Sequence, residues 1–180
     1  GSWLAVRAPA VYGPGDRETL AYFKTVDRGL APRPMVAGAR LSLIHVADLA
    51  EAVVRALESD LAASVYEVDD GHPGGHTYDD MARAAGLALT GGAVGRQPRT
   101  LAVPRPVLAA VGAWNGLRQS LGGAPQILTA GKVAEMFHPD WTIHDRRLAE
   151  ATGFSARYDL QRGFADTVLW YRQRRWLGNR

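Results

Sequence analysis

Arg7-Ala8-Pro9-Ala10-Val11-Tyr12-Gly13-Pro14-Gly15-Asp16-Arg17 is the stretch on which the fold reading turns. With Trp3 and Leu4 before it, residues 3–12 form a run with few polar breaks. Such a run predicts a strand buried on both faces, as in a parallel sheet. Gly13-Pro14-Gly15-Asp16 has the composition of a turn. A helix is expected next, from about Glu18 to Arg28, ending at Gly29.

Further along, Pro32 and Pro34 keep the chain extended, and Leu41 to Val46 reads as a short apolar strand. Asp48 with Glu51 three residues later fits a capping box opening a helix, with Leu49, Val53, Ala56 and Leu57 on its inner face. Ser64 to Val68 is a strand and 69–75 a loop. Thr77 caps a helix reaching about Leu89, with Asp79 and Asp80 in its first turn. Beyond the Gly91–Gly95 loop come a short strand, Arg99–Val103, and a helix from Pro106 towards Leu121. Gly122-Gly123-Ala124-Pro125 separates it from a helix at about Thr129–Phe137. Asp145 is expected to cap a short helix stopped by Gly153. Asp159 is expected to cap the last helix, with Leu160, Phe164, Val168 and Tyr171 on one face. The fold class expected is therefore α/β. Residues 1–90 hold late strands and helices of a Rossmann-type sheet with about three short strands, and 91–180 are mainly helical, together one incomplete domain.

The 180 residues are 47% hydrophobic and 22% charged, which excludes a disordered or collagen-like chain. No apolar run is long enough to span a bilayer, and the amino terminus lacks the pattern of a signal peptide. Without cysteine there is no disulfide, thiolate zinc site or cysteine nucleophile. A cytoplasmic protein with no membrane partner is expected. The net charge of +3 rests on 21 basic residues, of which only Lys24 and Lys132 are lysine. The cluster Arg172, Arg174, Arg175 and Arg180 reads as the solvated face and tail of the last helix, so no nucleic-acid partner is expected.

The opening stretch resembles the "RPxxVYGPGDR" segment of extended short-chain dehydrogenases/reductases, the NAD-dependent epimerase/dehydratase-like family. Leu43-Ile44-His45-Val46-Ala47-Asp48-Leu49-Ala50 resembles their "HVxDLAxA" segment, and Tyr66-Glu67-Val68 with Asp70-Gly71 resembles the next strand and turn. Gly163-Phe164-Ala165-Asp166 with Trp170-Tyr171 resembles the terminal helix. Two family features are missing. No glycine fingerprint follows a first strand; Gly91–Gly95 follows a helix. No tyrosine stands four residues before a lysine, since Leu20 precedes Lys24 and Leu128 precedes Lys132. The chain therefore resembles the carboxyl-terminal half of such an enzyme.

That resemblance implies substrate contacts at Tyr12, Arg17, Arg40 and Ser42, with the arginine forks suited to an anionic group. It places the backbone of Ala10 and Val11 near the nicotinamide. Many sugar-nucleotide members carry arginine four residues before the motif histidine. Here that position is Leu41, with Arg40 one earlier. The function implied is the substrate-binding half of an NAD(P)-dependent oxidoreductase or epimerase, inactive alone, with NAD or NADP bound only by the complete enzyme. Its partner would be a small molecule, a nucleotide sugar or another hydroxylated or keto compound. An uncovered sheet edge would favour self-association. The alternative is a non-catalytic binding module derived from the same fold.

Other motifs carry less. His45 is expected to be structural, its ring bonded to nearby backbone. His72 and His76 are separated by Pro73-Gly74-Gly75, which breaks helical zinc-ligand spacing. Trp3, Trp114, Trp141, Trp170 and Trp176 are expected in the core or an interface. No Gly-x-Ser-x-Gly elbow occurs.

Overall fold

A computed structural model describes residues 3–93, 97–120 and 130–178. The opening run is not one strand. Pro9 lacks an N–H, and around it the chain divides into β1 (Ala5–Arg7) and β2 (Ala10–Tyr12), which pair with different partners. β1 runs parallel to β6 (Val65–Glu67), and β2 runs parallel to β5 (Leu43–His45). The Val68 N–H donates to Arg7 O, and the Asp70 N–H donates to Leu43 O at 2.9 Å. The chain leaving β6 thus runs along the far edge of β5, which is wedged between it and β2. Both partners lie on one side of β1 and β2, and the other edge has no strand among the described residues. The expected burial on both faces does not hold, because Ala5, Arg7, Ala10 and Val11 are exposed.

Against about three short strands expected, the described residues hold nine, in four small sheets. β3 (Leu30–Pro34) pairs parallel with β8 (Arg99–Val103), and β4 (Arg40–Leu41) lies between β7 (His76–Thr77) and β9 (Asp140–Trp141). The helices are α1 (Arg17–Asp27), α2 (Val46–Glu58), α3 (Tyr78–Leu89), α4 (Arg105–Ser120), α5 (Ala130–Met136), α6 (Arg147–Thr152) and α7 (Leu160–Gln173). The Gly122–Pro125 separator and Thr129 lie outside the described residues, as do Val94, Gly95 and Arg180.

β5 divides the core by strand alternation. Leu43 joins a cluster containing Tyr12 and residues of α1, α3 and α7, while Ile44 joins one containing Tyr66, Leu148 and the inner alanines of α2. Thr77 caps α3 in a full capping box with Asp80, Asp159 caps α7, and Gly153 ends α6 in the left-handed conformation. Leu160, Phe164, Val168 and Tyr171 are buried together, as their spacing predicts.

Asp48 does not cap α2. His45 does, its Nδ1 accepting the Ala47 N–H at 3.3 Å, and Glu51 is engaged instead by Arg55 Nε at 2.8 Å. The inner face of α2 is Asp48, Ala52 and Ala56, whereas Leu57 is 71% exposed. The cap of α6 differs too. Arg146 occupies that position without a side-chain capping bond, and Asp145 accepts from Arg147, whose guanidinium and N–H lower its pKa to about 2. Trp3, Trp114 and Trp141 are at least half exposed and so are not core; Trp170 and Trp176 pack against it.

Candidate binding cleft

The Ala8-Pro9-Ala10 bend between β1 and β2 forms one wall of a 390 Å³ cavity. Leu41 at the end of β4, Ser42 just beyond it and Tyr78 at the start of α3 continue it. Lys132, Glu135 and Met136 of α5, with Trp141 of β9, form the opposite side. β4 and β9 are parallel neighbours, so their register sets Trp141 beside Leu41. The Trp141 Nε1–H is fixed by donating to Glu135 O at 2.9 Å, which leaves the indole half exposed.

The polar groups of this cleft are largely committed. Lys132 Nζ lies 3.3 Å from Glu135 Oε2. The Ser42 hydroxyl donates to Asp69 Oδ2 at 2.7 Å and accepts the Ile143 N–H at 3.0 Å. Asp69 is in turn paired with Arg146. The Tyr78 phenol has its pKa raised by burial, which keeps it neutral and able to donate. The wall is thus mostly apolar, with a few fixed polar groups, which suits binding an amphiphile more than acid–base chemistry.

Of the six residues singled out in the sequence, Ala10 and Ser42 meet at this cleft. Val11 is 38% exposed on β2. Tyr12 is 1% exposed, its ring edge-on to Phe164 and His45. Its hydroxyl makes no hydrogen bond among the described residues, and burial raises its pKa. The Arg17 guanidinium lies over the Trp176 ring, 5.2 Å from its centroid. Arg40 Nη1 donates to the carbonyls of Gly74 and Gly75 at 3.2 and 3.4 Å. Met136 and Trp141 were not legible as cleft residues in the sequence because they come from elements about 130 residues away from the bend. A larger cavity of 630 Å³ lies at the carbonyl ends of α1 and α3, where Arg172 already donates to Leu89 O at 2.6 Å.

A dinucleotide needs free amides at a helix start for its pyrophosphate. Gly13-Pro14-Gly15 leads from β2 into α1, but the Asp16 carboxylate already accepts the Glu18 and Thr19 N–H groups there. Its negative charge would oppose a phosphate. The other strand-to-helix passages among the described residues, into α2, α3, α4 and α6, contain no glycine. These residues therefore do not fit a pyrophosphate cradle.

The His45 ring bonds nearby backbone, as expected. Its ring stacks on Tyr158 at 4.0 Å, and Asp166 Oδ2 stands 3.4 Å from Nε2 without an aligned hydrogen bond. Because Nδ1 accepts from Ala47, the neutral ring carries its proton on Nε2. Burial lowers its pKa below the ordinary 6.5, against the opposing pull of Asp166 and Asp48. Between the folded and unfolded values, only the unfolded chain binds the proton. This contribution to stability is complete above about pH 6.5 and falls as the pH drops below it. His45→Asn retains a capping oxygen and removes the titration. Its melting temperature is expected to fall less than that of the unsubstituted protein between about pH 8 and about pH 5. Parallel curves would show that His45 is not the source.

Two further histidines stack, His72 on His76 at 4.3 Å, with His76 Nε2 held 2.6 Å from Asp70 Oδ2. No group of three metal-ligating side chains occurs among the described residues.

No protein-family model matches the chain. It is 34% identical over 176 residues to the ceramide reductase of Caulobacter vibrioides, an alignment covering 98% of this chain and 53% of that protein. A human epimerase family protein solved with NADPH superposes with a TM-score of 0.66 at 19% identity, over 93% of this chain and 48% of that one. The UDP-glucose 4-epimerase of Thermotoga maritima, solved with UDP-glucose, gives 0.59 at 17% identity, over 95% and 46%. The chain spans about half the length of the curated relative it matches. The likeness to the extended short-chain dehydrogenase/reductase fold extends over about half of such structures.

Proposed function

We propose that residues 1–180 form the carboxyl-terminal, substrate-side half of an NAD(P)-dependent reductase acting on a ketone carried by a ceramide-like lipid. Ala8, Pro9, Ala10, Leu41, Met136 and Trp141 supply the apolar wall of the cleft, and this observation carries the choice of substrate. Neither Arg17 nor Arg40 lines it, and both are held elsewhere by Trp176 and by two backbone carbonyls. A nucleotide diphosphate would need such cations; a long-chain amide needs apolar surface and a hydroxyl such as that of Tyr78. The 34% identity to a ceramide reductase supports the same reading. The cofactor would be held by parts of the complete protein beyond these residues, with the Ala10 and Val11 backbone flanking the nicotinamide.

The test is oxidation of NADH or NADPH by the complete protein, offered either a keto-ceramide or a UDP-sugar. Turnover on the lipid is expected. Met136→Ala and Trp141→Ala should each raise its KM about tenfold with little change in kcat, as expected for lost binding surface. Turnover on the UDP-sugar alone would overturn the reading.

A further inference from the structure

The helix α4 is poorly covered by the other described residues. It packs on α5, and of its residues only Gly112 is buried, with Leu108 and Asn115 half-buried. Val107, Val111, Trp114 and Leu117 are 52%, 43%, 62% and 53% exposed. Their spacing sets them in one stripe along the helix, turned away from the packed side. Arg118 stands at the carboxyl end of that stripe, whereas the Arg105 guanidinium lies over the Phe137 ring, 5.9 Å from its centroid. No aspartate or glutamate occurs between Asp80 and Glu135, and the interval contains Arg99, Arg105, Arg118 and Lys132 among its basic residues. Glu135, the first acid beyond it, is paired with Lys132. An apolar stripe with a tryptophan, on a helix whose charged residues are all basic, is complementary to an anionic bilayer surface.

We propose that α4 lies flat in the headgroup region of an anionic lipid membrane and docks the complete protein there. The expectation of no membrane partner rested on the lack of a spanning segment, and no described helix is long and apolar enough to cross a bilayer. A helix lying on the surface needs neither length nor continuous apolarity. Trp114 sits at the boundary where indoles are enriched, and Arg118 extends towards phosphates while its stem covers apolar surface. The preference for a bilayer over a second copy of the chain rests on the lipid-substrate reading. The α5 helix that carries α4 also carries Lys132, Glu135 and Met136 of the cleft. A lipid leaving the membrane at α4 would therefore meet the cleft directly.

The test is co-sedimentation of the complete protein with phosphatidylcholine vesicles, with and without phosphatidylglycerol, in the absence of cofactor and substrate. Binding to the anionic vesicles is expected. It should weaken about tenfold or more on omitting phosphatidylglycerol, and by a similar factor in the Trp114→Ser/Leu117→Ser double variant. Leu169→Ser, which alters an equally exposed apolar residue of α7, should leave binding unchanged. No sedimentation with anionic vesicles would overturn the proposal, as would undiminished binding by the double variant. Concentration-dependent dimers that this variant abolishes, without vesicle binding, would assign the stripe to self-association instead. A soluble short-chain ketone reduced equally by both proteins would leave the reductase reading intact in that event.

Discussion

Asp48→Ala is expected to destabilise the complete protein by about 3–5 kcal/mol, a fall of roughly 10 °C or more in melting temperature for a protein of this size. The carboxylate is 0% exposed and accepts the Arg157 N–H at 3.1 Å and the Tyr158 N–H at 2.9 Å. Hydrogen bonds to a charged group contribute about 1.5–3 kcal/mol each. Losing the acceptor also leaves two part-buried donors unpaired. The Arg157 guanidinium, 3.7 Å away, adds little because its side chain is 67% exposed. Asp48→Asn keeps one carbonyl oxygen and should lose about half as much. Denaturation of the three proteins measures the series. A loss of only about 1 kcal/mol for Asp48→Ala would mean an ordinary helix cap and would refute the clasp described here.

That residue also marks the reach of sequence reading. An aspartate followed three residues later by a glutamate, before an apolar helix, matches a local capping rule. The partners Asp48 uses lie 109 and 110 residues away, and no local pattern reveals them. His45 and Asp48 act on the same neighbour. One caps α2 and stacks on Tyr158, and the other binds the backbone beside that tyrosine, so the start of α2 is fixed to the start of α7. The elements whose signals are local were legible: the Thr77 and Asp159 caps, the Gly153 stop, and the buried face of α7. The division of the first strand had a visible cause in Pro9, but apolar continuity outweighed it. The same limit applied to the cleft. The bend at Ala8-Pro9-Ala10 belongs to a motif, whereas Met136 and Trp141 reach it only through the pairing of β4 with β9. Arg17 and Arg40 showed their charge in sequence but not the indole and carbonyls that hold them.

Gly163→Ala is the second large effect expected, a net loss of about 2 kcal/mol or more. In most helices the change would stabilise by up to about 1 kcal/mol through helix propensity. At Gly163 a β-carbon would fall 2.1 Å from the Tyr12 hydroxyl and 2.8 Å from two ring carbons. Tyr12 is packed between Phe164 and His45 and cannot turn aside cheaply. Forcing an extra carbon into such a core commonly costs about 1–3 kcal/mol, and more when a ring must move. Tyr12→Phe separates the contributions. Its hydroxyl has no hydrogen-bond partner among the described residues, so the single change should be nearly neutral. Combined with Gly163→Ala it removes the closest clash while the ring carbons remain. The pair should therefore recover about half the loss, a coupling of about 1 kcal/mol. Additive behaviour in the cycle would mean that α7 does not cross Tyr12 at Gly163. The same variant tests Tyr12 as a substrate contact. A KM for the lipid that rises in Tyr12→Phe at unchanged stability requires the hydroxyl to meet substrate, whereas an unchanged KM leaves Tyr12 as the ring against which α7 is seated.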